Sequence, residues 1–191
     1  DVERSRGLGD VYKRQMYFSS KKLFQKDIFQ QDKLSILTVI ILGSLSHFLY
    51  EFSGKRVIFA LFCPVNESVW EHLKLLFFPF LLITILNWYQ KRPPVLAFFY
   101  HRFLGIICAM FATLILFYTY TGIIGRHFLI ADLTIFVFSV IFVFYISQYF
   151  QRKRLLPPTQ EVVFSLWILL SICFFVFTCY PPDIALFFPP Q

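Results

Sequence analysis

The residues best suited to chemistry in this sequence cluster in one stretch, residues 64–74 (PVNESVWEHLK). Five of its eleven side chains are ionisable or carry an amide: Asn66, Glu67, Glu71, His72 and Lys74. The stretch opens a long apolar run, residues 75–89, which has the composition of a membrane segment. Charged groups are costly at membrane depth, so their presence here indicates either a pairing partner or a function.

Further polar residues are expected at the same membrane face. His47 and Glu51 lie at the end of an apolar run, one helical turn apart, and His127 and Asp132 lie where a later run begins. Histidines and carboxylates at one depth could bind a divalent metal ion or hold a water molecule for general-base catalysis. The candidate ligands are His47, Glu51, Asn66, Glu67, Glu71, His72, His127 and Asp132.

The same residues also have a structural interpretation. Ser68 and Glu71 have the spacing of a capping box, in which each side chain satisfies a backbone amide, and Asn66 is an alternative cap. Glu71 can pair with Lys74, or Lys74 can extend its amine to the interface. We assign structural roles to Ser68, Trp70 and Lys74.

Helical spacing makes two further predictions. Asp132 can pair with Arg126 near the start of its helix. One helix stripe would hold Glu67, Glu71 and Lys74, and a second stripe would hold Ser68 and His72. The sequence contains no HExxH, Walker, CxxC or GxSxG pattern, which weakens the case for specific enzyme classes.

Composition places the chain in a membrane. Of its 191 residues, 58% are hydrophobic and 15% are charged, whereas soluble domains have about 45–50% and about 25%. One globule of this size cannot bury so much apolar surface, so lipid must solvate much of it. The formal charge of +7 does not indicate nucleic acid, because the basic residues fall in short clusters between apolar runs.

The apolar runs predict an all-α, polytopic transmembrane bundle of about five spans, formed as one domain by residues 34–187. The first span covers residues 34–50 and the second runs from within residues 64–74 to about residue 89. The remaining spans cover residues 96–120, 128–150 and 162–180. The run at residues 57–63 is too short to cross, so we expect a re-entrant or interfacial segment between the first two spans.

The two ends of the chain differ from its apolar middle. Residues 1–15 are polar, precede Met16 and resemble a cloning scar, so we exclude them from fold reasoning. Residues 16–33 predict a basic cytoplasmic leader or an interfacial helix. Residues 188–191 read as a truncated tail. A disulfide between Cys63 and Cys179 is an alternative to free thiols, since pairing cannot be read from sequence.

The distribution of Lys and Arg predicts the orientation. Ten basic residues flank the spans on the side of the leader and four flank them on the other side. This asymmetry predicts a cytoplasmic N-terminus and, with five spans, an outside C-terminus. The candidate ligands then all lie at the extracytoplasmic end of the spans, and His101 lies at the other end.

Three parts of the sequence resemble an uncharacterised family of small polytopic bacterial membrane proteins. They are residues 47–51 (HFLYE), the string NESVWEHLK within residues 64–74, and residues 180–182 (YPP). The resemblance covers about residues 34–187 and implies an integral protein of the bacterial cytoplasmic membrane, but no activity. Relatives continue past residues 180–182 into a short polar tail, from which this chain departs.

Three functional hypotheses follow. The first, which is favoured over an enzyme, is a binding or accessory membrane protein. Its expected partner is the lipid bilayer, nucleic acid is not expected, and the sequence leaves other protein partners open. The second is a metal-dependent membrane enzyme, which requires four groups to converge within about 5 Å, namely His47, Glu51, Glu71 and His72. The third is a small-solute transporter, which needs a polar cavity at mid-bilayer, where the candidates are Ser44, Thr84, Thr113 and Ser139.

Overall fold

Five long apolar helices make up most of the described chain. The structure is a computed structural model that describes residues 32–189. Its helices are α1 (Asp32–Phe52), α2 (Val57–Phe62), α3 (Val69–Lys91), α4 (Val95–Ile124), α5 (Leu129–Lys153) and α6 (Gln160–Cys179), followed by a short 3-10 helix (Ala185–Phe187). The described residues contain no strand. The proposed scar, most of the leader and the last two residues of the tail lie outside them.

The prediction of an all-α polytopic bundle is confirmed. Every helix except α2 is long and apolar enough to cross a membrane. With only six residues, α2 is too short to cross and lies between the first two spans, where the sequence predicts a re-entrant or interfacial segment.

Helix α3 is the centre of the bundle. In its most apolar window 61% of the residues are buried, against 17–28% for the other four spans. Its apolar residues continue all around the helix, which is typical of a helix buried on every side. The core around it consists of Val39, Leu73, Leu76, Phe77, Phe80, Ile83, Phe99, Phe103, Ile106, Ala109, Met110, Val140, Val143, Phe144, Val163, Trp167 and Phe174.

The ends of the central helices follow from local sequence. Ser68 caps α3, since its hydroxyl accepts a hydrogen bond from the Glu71 amide at 3.3 Å. After Arg92, two consecutive prolines prevent α3 from continuing. Gly125 ends α4 in the left-handed region, at φ 79°, and its amide donates to the Thr121 carbonyl at 2.7 Å.

Helices α4 and α5 form a tight antiparallel hairpin. Small residues allow their backbones to approach closely, as in many membrane helix pairs. Going along α4, the contacts move backward along α5, and they pair Gly105 with Ser147, Thr113 with Ser139, and Tyr120 with Asp132. At its other side, α4 contacts α6, where the Trp167 indole donates to the Phe99 carbonyl at 3.2 Å.

Gly105 gives the first prediction, because a side chain at this position has no room. A Cβ at Gly105 would collide with the Ser147 hydroxyl and lie 3.0 Å from the Val143 carbonyl oxygen. We expect Gly105→Ala to reduce the free energy of unfolding by about 1–3 kcal/mol, the usual cost of overpacking. Thermal unfolding of the purified protein in detergent measures the change.

Gly122 in the same helix is the matched control. A Cβ there would meet no atom within 4 Å, so Gly122→Ala should be neutral or stabilise by up to about 1 kcal/mol through helix propensity. Equal unfolding temperatures for the two variants would contradict the close packing of α4 on α5.

Candidate functional site

A buried ion pair lies at the beginning of α3. The Lys74 Nζ is 2.7 Å from the Glu71 Oε2, and the two side chains are 0% and 3% exposed. Of the two predictions for Lys74, pairing with Glu71 is the one observed. The prediction that Lys74 extends its amine to the interface is wrong. Removing two charges from water costs several kcal/mol per ion, so such a pair is tolerated only where further hydrogen bonds satisfy both groups.

The partners of Lys74 come from the short helix α2 and the turn after it. Its Nζ also donates to the Ala60 carbonyl at 2.9 Å and approaches the Cys63 carbonyl at 3.5 Å. Burial raises the pKa of the Cys63 thiol, although the charge on Lys74 opposes this. Cys63 and Cys179 are both free thiols, so the disulfide alternative is not observed.

The partners of Glu71 complete the network. Its Oε2 accepts from the Val65 amide at 3.0 Å, and its Oε1 accepts from the Thr178 hydroxyl at 3.0 Å. Thr178 lies at the end of α6, which therefore meets the start of α3. The ion pair thus fastens residues 60–65 and the end of α6 to the central helix.

The predicted capping box forms only in part. Ser68 accepts from the Glu71 amide, but the Glu71 carboxylate does not return to the Ser68 amide because Lys74, Val65 and Thr178 occupy it. Instead the Ser68 amide donates to the Asn66 Oδ1 at 2.9 Å. Asn66 therefore stabilises the turn that leads into α3.

This turn brings three potential metal ligands together. The Glu67 Oε2 is 3.3 Å from the His72 Nε2 and 3.8 Å from the His47 Nε2. One ligand atom from each residue lies within 4.8 Å of the others. His47 comes from α1, Glu67 from the turn before α3 and His72 from the first turns of α3. We call these three residues the His47–Glu67–His72 site.

The orientation of His72 suits metal binding. Its Nδ1 lies 2.9 Å from the Ser68 carbonyl oxygen, which can only accept, so Nδ1 carries the proton. In the neutral ring the lone pair is then on Nε2, which faces Glu67. Metal-binding histidines usually have such a hydrogen bond on their second nitrogen, because it fixes the tautomer and the ring orientation.

The spacing and exposure of the three groups also fit an ion. Four ligands about 2.1 Å from a tetrahedral metal lie about 3.4 Å from one another. The two distances from Glu67 to the histidines, 3.3 and 3.8 Å, are close to this value, and all three ligand atoms lie within 4.8 Å of one another. The histidine side chains are each 34% exposed and Glu67 is 66% exposed, so an ion can enter from solvent and retain water as a further ligand.

The position of Glu67 corrects the predicted helix stripes. Because α3 begins at Val69, Glu67 precedes the helix and cannot share a stripe with Glu71 and Lys74. Glu71 points into the bundle, whereas Glu67 points toward His47. The two carboxylates, four residues apart in sequence, therefore have opposite environments.

The other candidate ligands predicted from the sequence lie apart from this site or pair with other residues. Glu51 pairs with Lys55 at 3.6 Å, and both side chains are largely exposed. Of the four groups expected to converge in an enzyme, only His47 and His72 do so, since Glu51 and Glu71 have other partners.

His127 and Asp132 form a second small cluster between α4 and α5. The His127 Nδ1 is 3.4 Å from the Asp132 Oδ2, and the Tyr120 hydroxyl donates to the other oxygen of Asp132. The predicted pair of Asp132 with Arg126 is wrong, because the Arg126 guanidinium lies over the Phe128 ring at 4.6 Å.

Two contributors had no signal in the sequence. Thr178 is one hydroxyl in an uninterrupted apolar span, and only the docking of α6 shows its role. Tyr120 was not distinguishable from the other nine tyrosines. Trp70, assigned a structural role, packs against Phe174 at 4.7 Å and Phe187 at 5.1 Å between ring centroids.

The fold and the site together define a polytopic helical membrane protein with a polar cluster at one end of its central helix. The sequence matches a family of unknown function, DUF6512, over residues 19–190, and the chain belongs to that family. This confirms the resemblance to an uncharacterised family. No curated protein and no solved structure is significantly similar to the chain.

The buried pair gives the second prediction. We expect Lys74→Met to reduce the free energy of unfolding by about 3–5 kcal/mol, because it leaves the Glu71 carboxylate buried without its cation. Lys55→Met breaks the exposed pair with Glu51 and should change it by no more than about 1 kcal/mol. Denaturant unfolding of both variants measures the difference, and equal losses would contradict the role of the buried pair.

Proposed function

We propose that the protein binds one divalent transition-metal ion, zinc foremost, at the His47–Glu67–His72 site on one face of the membrane. The observation that carries the proposal is the convergence of three ligand atoms within 4.8 Å from three separate elements. The fixed tautomer of His72 supports it, because the nitrogen left with the lone pair is the one that faces the other two ligands.

The ligand types favour zinc or a similar ion over magnesium or calcium. Imidazole nitrogen suits zinc, copper, iron and nickel, whereas magnesium and calcium prefer ligand sets made of oxygen. Two histidines and one carboxylate are also a common zinc ligand set. The main proposed role is therefore a metal-binding or accessory membrane protein.

A metal-dependent enzyme is the second candidate. Three protein ligands with an open fourth position characterise catalytic zinc sites, and the exposure of Glu67 leaves room for a water molecule. The ion would lower the pKa of that water and supply a nucleophile. A zinc-dependent hydrolysis that is lost in the His72→Ala variant would favour the enzyme over the binding protein.

The transporter hypothesis has less support. Thr113 and Ser139 face each other between α4 and α5 and share a hydrogen bond of 2.7 Å. Thr113 also donates to the Ala109 carbonyl within its own helix. Two of the four mid-span hydroxyls are thus used in contacts within and between helices, and transport is the third proposal.

The third prediction tests metal binding. We expect the purified protein to bind zinc, measured by calorimetry, and cobalt, measured by its visible absorption. His47→Ala, His72→Ala and Glu67→Gln should each weaken binding by about 100-fold or more, since even outer hydrogen-bond partners of metal ligands contribute about 10–100-fold. Binding should also be weaker at mildly acidic than at neutral pH, because the ligands must lose their protons.

Glu51→Gln is the matched control for this experiment. Glu51 lies on the same helix as His47 but pairs with Lys55 instead, so its variant should bind zinc like the unmodified protein. Zinc binding that survives all three ligand substitutions, or an absence of any binding, would overturn the proposal.

We further propose that the N-terminus is cytoplasmic and the site extracytoplasmic in a bacterial cytoplasmic membrane, as the distribution of basic residues predicts. Cys179 is exposed at the end of α6, the same end of the bundle as the site. In a variant that retains only Cys179, a membrane-impermeant maleimide should label intact cells. A variant that carries Arg152→Cys and no other cysteine should be labelled only after lysis, and the opposite pattern would reverse the orientation.

A further inference from the structure

The His47–Glu67–His72 site lies near the ends of two spanning helices. His47 is five residues before the end of α1, about 7.5 Å along the helix axis, and His72 is in the first turn of α3. Residues within a turn or two of the ends of spanning helices lie where the hydrocarbon of the bilayer meets the lipid headgroups. A ligand that approaches the site therefore meets the headgroup layer.

Helix α1 has an exposed apolar face beside His47. This face has i, i+3, i+4, i+7 spacing and side chains that are 41–85% exposed, and it consists of Leu45, Phe48, Leu49 and Phe52. The Phe48 ring centre is 5.2 Å from that of His47. The site is thus bordered by a surface that lipid acyl chains can cover.

The turn after α1 continues this surface and adds positive charge. Val57 and Ile58, at the start of α2, are 76% and 64% exposed, and Lys55 and Arg56 directly before them are exposed as well. Because Lys55 pairs with Glu51 at 3.6 Å, Arg56 is the main source of this charge. Apolar side chains next to basic ones are typical of segments that lie in the interface and attract anionic lipid.

An ion in the site would itself attract an anion. A divalent ion bound by two neutral histidines and the Glu67 carboxylate keeps one positive charge in excess, and three protein ligands leave a fourth position open. The Glu67 side chain is 66% exposed, so this position is accessible. Zinc accepts anionic oxygen as a ligand, and lipid phosphates supply such oxygen at this depth.

We propose that the open coordination position of the bound ion takes a phosphodiester oxygen of an anionic phospholipid, whose acyl chains lie along the exposed face of α1. This inference rests on the proposed metal binding. The phosphate oxygen replaces a water molecule on the ion, and no covalent bond of the lipid changes. A soluble phosphodiester offers the same oxygen, but only a lipid also covers the apolar face beside His47.

The experiment measures how lipid affects zinc binding. The purified full chain in nonionic detergent is titrated with zinc in the presence of phosphatidylglycerol, of diacylglycerol (the same acyl chains without phosphate) or of dimethyl phosphate (a soluble phosphodiester). Protein-free micelles of the same composition correct for zinc that the lipid itself binds. We expect phosphatidylglycerol to tighten zinc binding about tenfold, within the usual range of coupling between two ligands.

The coupling is reciprocal, which provides an internal check. If phosphatidylglycerol tightens zinc binding, zinc must tighten phosphatidylglycerol binding by the same factor. Native mass spectrometry of the protein with and without zinc measures the lipid that is retained. In the cobalt-loaded protein, exchange of water for a phosphate oxygen should change the visible absorption, and diacylglycerol should leave the absorption unchanged.

Arg56→Gln tests the basic turn. The Arg56 side chain attracts the headgroup whether or not an ion is bound. We therefore expect the variant to need about fivefold more phosphatidylglycerol for the same effect on zinc binding, which is the contribution of one basic residue near an anionic surface. Arg126→Gln is the matched control, since Arg126 is an exposed basic residue that follows a different span, α4, and it should leave the required lipid concentration unchanged.

Two results would overturn the inference and leave the His47–Glu67–His72 site intact. One is equal zinc affinity with phosphatidylglycerol and with diacylglycerol, which would limit the lipid to apolar contacts. The other is dimethyl phosphate that tightens zinc binding as much as phosphatidylglycerol does at equal concentration, which would make a soluble phosphodiester the ligand. An absence of zinc binding under every condition would instead overturn the proposed function, and this inference with it.

Discussion

The end of the bundle that carries the candidate site depends on one constraint: a charged pair must be fully hydrogen-bonded where water cannot reach it. Glu71 and Lys74 meet this constraint only with the help of the Ala60 and Val65 backbone and the Thr178 hydroxyl. These partners belong to segments outside α3. The pair is therefore satisfied only when α2, the following turn and the end of α6 are all in place, which makes packing at this end cooperative.

The same constraint explains how an exposed site can be well defined. Glu67 lies on a turn, and turns at a membrane surface have few contacts of their own. Here two hydrogen bonds hold the turn, one before and one after Glu67. The Val65 amide donates to the Glu71 carboxylate, and the Ser68 amide donates to the Asn66 side chain. The buried carboxylate thus positions the exposed one, and the exposed one remains available for a ligand.

Much of the fold could be predicted from the sequence, because lipid solvation requires long apolar helices and their ends are marked by proline, glycine and basic residues. The five spans and the short helix α2 follow from those signals alone. The cap at Ser68 and the Glu71–Lys74 pair were also readable from spacing.

Which residues form the candidate site is harder to predict from the sequence. Spacing placed Glu67 and Glu71 on one helix face, but the helix begins at Val69, between them, and this boundary alone gives them different environments. Local spacing likewise suggests Arg126 as the partner of Asp132, whereas its partners in space are His127 and, across the α4–α5 hairpin, Tyr120. Such contacts depend on how the helices pack against one another. The spacing of residues along a single sequence does not show that packing.

The distribution of the site over two spans has a consequence for biosynthesis. His47 lies at the end of α1, which is translated before α3, while Glu67 and His72 are translated only with the start of α3. Between them α1 packs closely on α3, since a Cβ at Gly43 would lie 2.6 Å from the Leu75 carbonyl oxygen. A nascent chain that has released α1 but not α3 thus has one of the three proposed ligands. The proposed ion would therefore be acquired only after α3 is translated, on the far side of the membrane from the ribosome in the proposed orientation.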